Sequence, residues 1–137
     1  MQSQSVTSVC GVAQAAATAA LEGDQAFVAQ GAGIFARRSK IISEGLAGIE
    51  ELDYVPPAGA FYAFIGVEKL LGRVTPEGAV LATDSDLAAY LLNAFGLSSV
   101  PGQAFNAPGF IRLSIAASDD ELVQACVRLK QMVESLN

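Results

Sequence analysis

Residues 100–116, VPGQAFNAPGFIRLSIA, admit few folds. From Phe110 to Ile115 apolar and polar residues alternate, so Ile111, Leu113 and Ile115 share one face of a strand while Arg112 and Ser114 share the other. Pro101, Gly102, Pro108 and Gly109 ahead of them make a loop that fixes how the strand is entered. A strand with one apolar face needs a second layer on that face and can leave the other open to a cleft. A guanidinium held on that open face suits a carboxylate, which it can grip with two parallel hydrogen bonds. An arginine on a plain solvated face has the same spacing.

The remaining chain supplies the helices. Residues 1–8 are polar and read as a connector, and residues 9–50 carry an Ala-rich helix over 11–21, stopped by Gly23, then a long one. Asp24 is a good N-cap for the long helix, which runs to about Gly48 with Phe27, Val28, Ile34, Phe35, Ile41, Ile42 and Ile49 as an apolar stripe. Gly31 and Gly33 weaken it. Residues 51–137 read as a sheet and helix core. Short strands are expected at 54–57 and 98–100 and an aromatic one at 60–65, with Phe61, Tyr62 and Phe64 assigned to the core rather than to a stacking platform. Residues 72–78 form a loop. Residues 83–86 offer several N-caps for a helix carrying Leu87, Tyr90, Leu91 and Ala94 and closed by Gly96. Ser118 and Glu121 form a capping box for a last helix that buries Leu122, Ala125, Cys126, Leu129, Val133 and Leu136. The expected fold is α+β in two layers, a small, mainly antiparallel sheet covered by helices, with a long N-terminal helix of the interdomain type.

Composition narrows the partners. Only eight Lys and Arg are spread over 137 residues with a net charge of −6, so no cationic stripe forms and nucleic acid is excluded as a partner. The absence of His removes the usual general base and the usual zinc ligand; neither a catalytic residue nor a metal site is assigned. Hydrophobic residues reach 52%, charged ones only 16%, and mean hydropathy is +0.41. Ala-rich packing and an apolar face made for another domain or subunit both explain that balance. No stretch is long enough to span a membrane, and residues 1–5 lack the positive charge of a secretory signal, so the expected location is cytoplasmic. Cys10 and Cys126 lack a metal spacing; a reduced pair is the default there, and a disulfide remains open.

The motif residues together bear a family resemblance. Val100-Pro101-Gly102, Phe105 and Arg112-Leu113-Ser114-Ile115-Ala116 resemble, in order and spacing, the C-terminal signature of class I/II aminotransferases, pyridoxal-phosphate enzymes of the aspartate aminotransferase fold. Pro57-x-Gly59-Ala60-Phe61-Tyr62-x-Phe64 is similar to a strand of that family's small domain. Arg37-Arg38 with Glu44-Gly45-Leu46 resembles its interdomain helix. Gln2-Ser3-Gln4-Ser5, Thr7-Ser8 and Ala13-Gln14-Ala15-Ala16 resemble the connector and the helix after it. The similarity is collinear over nearly all 137 residues and strongest to the bacterial aspartate aminotransferase-like branch. Two departures stand out: Val9-Cys10 where the family often has Asn-Pro, and Asn106, which tolerates a left-handed backbone, in place of a glycine.

The resemblance implies that Arg112 binds the α-carboxylate of an amino acid or 2-oxo acid and orients its Cα–H toward the cofactor lysine while domain closure excludes water. It also implies that this lysine lies upstream of the Gln2-Ser3-Gln4-Ser5 connector. Lys40, Lys69 and Lys130 match no cofactor-lysine context and read as surface residues, and Gly31-Ala32-Gly33 lies in a helix pattern and makes no phosphate cradle. Pyridoxal phosphate is thus expected in the full-length family and not on this chain alone. The first reading is a small domain that needs its missing N-terminal half. The second is a stand-alone, non-catalytic interaction or carboxylate-binding module that pairs with itself.

Overall fold

A computed structural model describes residues 8–137; of the expected 1–8 connector, all but Ser8 lies outside the described residues. Two compact units are present, Met1–Gly33 and Ile34–Asn137.

In the first unit α1, Gly11–Glu22, is built on alanines, the best helix formers, and buries none of its residues. It ends at Gly23. Asp24 Oδ1 accepts the Ala26 N–H at 2.9 Å and so caps α2, Ala26–Leu46, as its sequence suggests. The boundary between the units falls within α2.

The second unit is a sheet with helices on one face. β1, Asp53–Tyr54, β2, Tyr62–Gly66, β3, Val100–Pro101, and β4, Phe110–Ser114, lie in the order β1-β2-β4-β3, every pair antiparallel. α3, Asp84–Phe95, and α4, Asp119–Ser135, follow the loops. Both start in full capping boxes. Thr83 Oγ1 accepts the Asp86 N–H while Asp86 Oδ2 accepts the Thr83 N–H, and Ser118 and Glu121 do the same for α4. Gly96 closes α3 at φ +63°, a backbone that side chains resist.

The core follows the alternation of the strands. Ala63, Ile65, Ile111, Leu113 and Ile115 are buried against Ile42, Leu46, Leu87, Leu91, Leu122, Cys126, Leu129 and Met132. Each fully buried Leu or Ile contributes about 1.5–3 kcal/mol. The two-layer α+β architecture is the expected one. The stripe on α2 is the exception. Ile42 and Leu46 are buried and Phe35 and Ile41 pack against the core, but Phe27, Val28 and Ile34 are exposed. Periodicity identifies an apolar face without saying what covers it.

Candidate functional site

The open face of the sheet is aromatic. In β2, parity sends Ala63 and Ile65 into the core, so Tyr62 and Phe64 stand on the opposite face. There Phe64 is paired with Arg112 and Tyr62 with Ser114 across β4. The expectation that Phe61, Tyr62 and Phe64 belong to the core is therefore corrected. Tyr62 and Phe64 are half-buried because the strand commits its other parity to the small and aliphatic Ala63 and Ile65, and Phe61, just before β2, is exposed. Phe64 stacks on Phe110 at 4.9 Å and meets Phe105 edge-on.

Arg112 lies among these rings. Its guanidinium carbon is 4.1 Å from the centroid of Tyr62 and 4.1 Å from that of Phe105. Two cation–π contacts on one half-buried guanidinium fix its rotamer. Among the described residues its N–H groups donate to no side chain or carbonyl, which leaves them available for planar acceptors. The other cations are used differently. Among the described residues Arg37 and Arg38 pair with Asp119, Lys40 with Glu44, Lys69 with Asp53, Arg73 with Glu51 and Lys130 with Glu134. Arg128 donates to the carbonyl of Gly96. Arg112 and Arg128 are in none of these ion pairs, and of the two only Arg112 is held by rings.

Backbone geometry sets Phe105 in place. After β3 the chain makes a 3₁₀ turn, Gly102–Phe105, closed by Asn106 at φ +55°. The left-handed conformation for which Asn106 is suited is the one it adopts. Gly102 is obligatory, since a Cβ there would collide with the Ala107 carbonyl and lie 2.9 Å from Phe110 Cβ. Asp84, in the first turn of α3, is 2% exposed, and its Oδ2 accepts the Gln103 N–H at 2.9 Å. In the sequence Asp84 is only one of several N-cap choices. Thr83 is the cap, and Asp84 instead reaches the turn that carries Phe105.

Outside this face the chemistry is spare. A cleft of about 460 Å³ has an apolar floor of Leu97, Leu113, Leu122 and Ala125 and a rim with Asp120 and Arg128, and it does not include Arg112. Cys10 and Cys126 are free, and burial pushes the Cys126 thiol up, away from a reactive thiolate. The Asp119 carboxyl is held down by the hydrogen bond from Arg37, and Glu121 by its backbone bond from Ser118. Among the described residues no acid or cysteine cluster could hold a metal ion, and no helix is long and apolar enough to cross a membrane.

The arrangement has close counterparts. The aspartate aminotransferase of Rhizobium meliloti (strain 1021) is 40% identical over 137 residues, all of this chain and 33% of that protein. A probable aspartate/prephenate aminotransferase of Rickettsia bellii is 37% identical over 99% of this chain and 34% of its own length. The crystal structure of the Rhizobium meliloti aspartate aminotransferase matches 99% of this chain and 34% of that one with a TM-score of 0.90. The aspartate aminotransferase of Thermotoga maritima matches at 33% identity and a TM-score of 0.75, over 98% of this chain and 31% of its own. These folds define an aminotransferase-like module. The family model for aminotransferase class I and II matches residues 1–129, and the chain belongs to that family. It spans about a third of the length of the relatives it matches.

Membership implies pyridoxal phosphate in full-length members. The residues described here do not fit that group. It requires a lysine amine free to form an imine and a cradle for its phosphate. Lys40, Lys69 and Lys130 are exposed and each is paired with a carboxylate; Lys69 also donates to the carbonyl of Glu50. Gly31 and Gly33 lie inside α2, where no loop can wrap a phosphate.

Proposed function

We propose that this chain is the substrate-clamping part of a pyridoxal-phosphate aminotransferase, in which Arg112 grips the carboxylate of an amino acid or 2-oxo acid. The observation that carries this reading is the state of Arg112. Six of the eight basic side chains are ion-paired with carboxylates, while Arg112 lies 4.1 Å from the ring centroids of both Tyr62 and Phe105 and has no carboxylate partner among the described residues. A carboxylate meeting its guanidinium forms two charge-assisted hydrogen bonds with little loss of side-chain freedom. The reacting lysine and the cofactor's other contacts belong to the part of the protein beyond this chain, so the chain alone clamps without transaminating. Its place is the cytoplasm, as the acidic composition and two free thiols suggest.

The test is a titration of the chain with succinate, followed through the Arg112 Nε–Hε resonance. Saturable displacement in the wild type and its loss in Arg112→Gln support the grip; an unresponsive wild type refutes it. Pyridoxal phosphate with borohydride trapping and peptide mapping should find no single stoichiometric lysine adduct. One adduct on Lys40, Lys69 or Lys130 would overturn the assignment of catalysis elsewhere.

A second reading, a self-pairing module without catalysis, is favoured by Val12, Leu21, Phe27 and Val28, all more than half exposed. Sedimentation of a monomer at low and high concentration alike would count against it.

A further inference from the structure

We propose that Asp84 is a positioning residue for Arg112, acting through the 3₁₀ turn Gly102–Phe105 and the ring of Phe105. The inference rests on the carboxylate-grip reading above and adds the residue that keeps the grip shaped.

Asp84 has no duty in capping its own helix. Thr83 and Asp86 complete the box at the start of α3, so the Asp84 carboxylate is left for another task. A carboxylate that is 2% exposed is costly unless hydrogen-bonded. Its bond is to the Gln103 N–H, at 2.9 Å and across 19 residues of sequence. A charged acceptor makes this stronger than a neutral amide bond, and the first turn of α3 favours the negative charge.

The turn it holds has no side-chain cap of its own. Within it the Asn106 N–H donates to the Gln103 carbonyl at 3.2 Å and the Ala107 N–H to the Gly102 carbonyl at 3.0 Å, so fixing Gln103 fixes the whole turn. Phe105 ends the turn. The residue is 41% exposed, so its seat 4.1 Å from the Arg112 guanidinium depends on where the backbone of the turn places it as well as on its edge-on contact with Phe64. The chain of contacts runs from Asp84 Oδ2 to Gln103 N–H, to the turn, to Phe105, to Arg112.

Four variants of the 137-residue chain test this: Asp84→Ala, Asp84→Leu, which has the same branched shape without an acceptor, Asp84→Asn, which keeps an acceptor oxygen, and Phe105→Ala. The first readout needs no ligand. Stacking on aromatic rings moves the Arg112 side-chain resonances upfield, and Asp84→Ala and Asp84→Leu should lose as much of that displacement as Phe105→Ala does. The second readout is succinate titration. Affinity should fall about fivefold in the same three variants, the scale of immobilising one long side chain. Asp84→Asn should restore both. Folded Asp84→Ala or Asp84→Leu with wild-type Arg112 resonances and affinity would overturn the proposal. Loss of the fold in both would assign Asp84 to the fold itself and overturn it equally. A wild type that ignores succinate refutes the grip, while the ligand-free comparison still decides whether Asp84 sets the Phe105 ring.

Discussion

Replacing Gly102 with alanine should unfold the second unit far more readily than its size suggests. The new Cβ would collide with the Ala107 carbonyl and lie 2.9 Å from both Cβ and the carbonyl oxygen of Phe110. Two of these three atoms are backbone, and none is the end of a flexible side chain that could swing away. Phe110 is in β4, paired with Gly66 of β2, so it cannot retreat without breaking the ladder. Overpacking of this kind costs about 3 kcal/mol. In a unit of this size that lowers Tm by about 12 °C. The three tyrosines, Tyr54, Tyr62 and Tyr90, all lie in Ile34–Asn137, so near-ultraviolet circular dichroism follows that unit selectively. Gly59→Ala is the control, since a Cβ there meets nothing within 4 Å. A Gly102→Ala variant melting within about 2 °C of wild type, or a Gly59→Ala variant falling as far, would refute the steric reasoning.

Two further outcomes are expected. Asp119 and Glu121 have carboxyls held below the usual range when folded, so the unfolded chain binds more protons in acid and stability falls with pH below about 5. Denaturant midpoints of Asp119→Asn should fall less steeply over that window than those of wild type; parallel curves would deny Asp119 a part. Gly31→Ala and Gly33→Ala place a Cβ in open space within α2 and should each favour the helix by about 1 kcal/mol, seen as greater far-ultraviolet ellipticity at elevated temperature. No gain would mean the helix is not limited by glycine.

Much of the second unit was legible because its signals are local. The parity of 110–115, the Ser118 and Glu121 box and the apolar spacing of α4 each act within a few residues, and each reads directly onto the fold. Tyr62 and Phe64 look like core residues by hydrophobicity, but parity overrides it. Ala63 and Ile65 already matched the core face of Leu113 and Ile111, their partners across the ladder. Asp84 left no usable signal. Its partner is a backbone N–H, which every residue but proline carries, and Thr83, Ser85 and Asp86 beside it all look like surface caps. The exposed Phe27 and Val28 mark the opposite limit, where a pattern is plain but does not say what, if anything, covers it.

The two rings about Arg112 also settle a matter of competition. A carboxylate neighbour would immobilise an arginine just as well, but it would cancel the charge and have to be displaced by any incoming anion. Tyr62 and Phe105 attract the cation through their ring faces while carrying no net charge. In a chain of net charge −6, where six of eight cations are ion-paired, this confines the Arg112 side chain and leaves its positive charge without a carboxylate among the described residues.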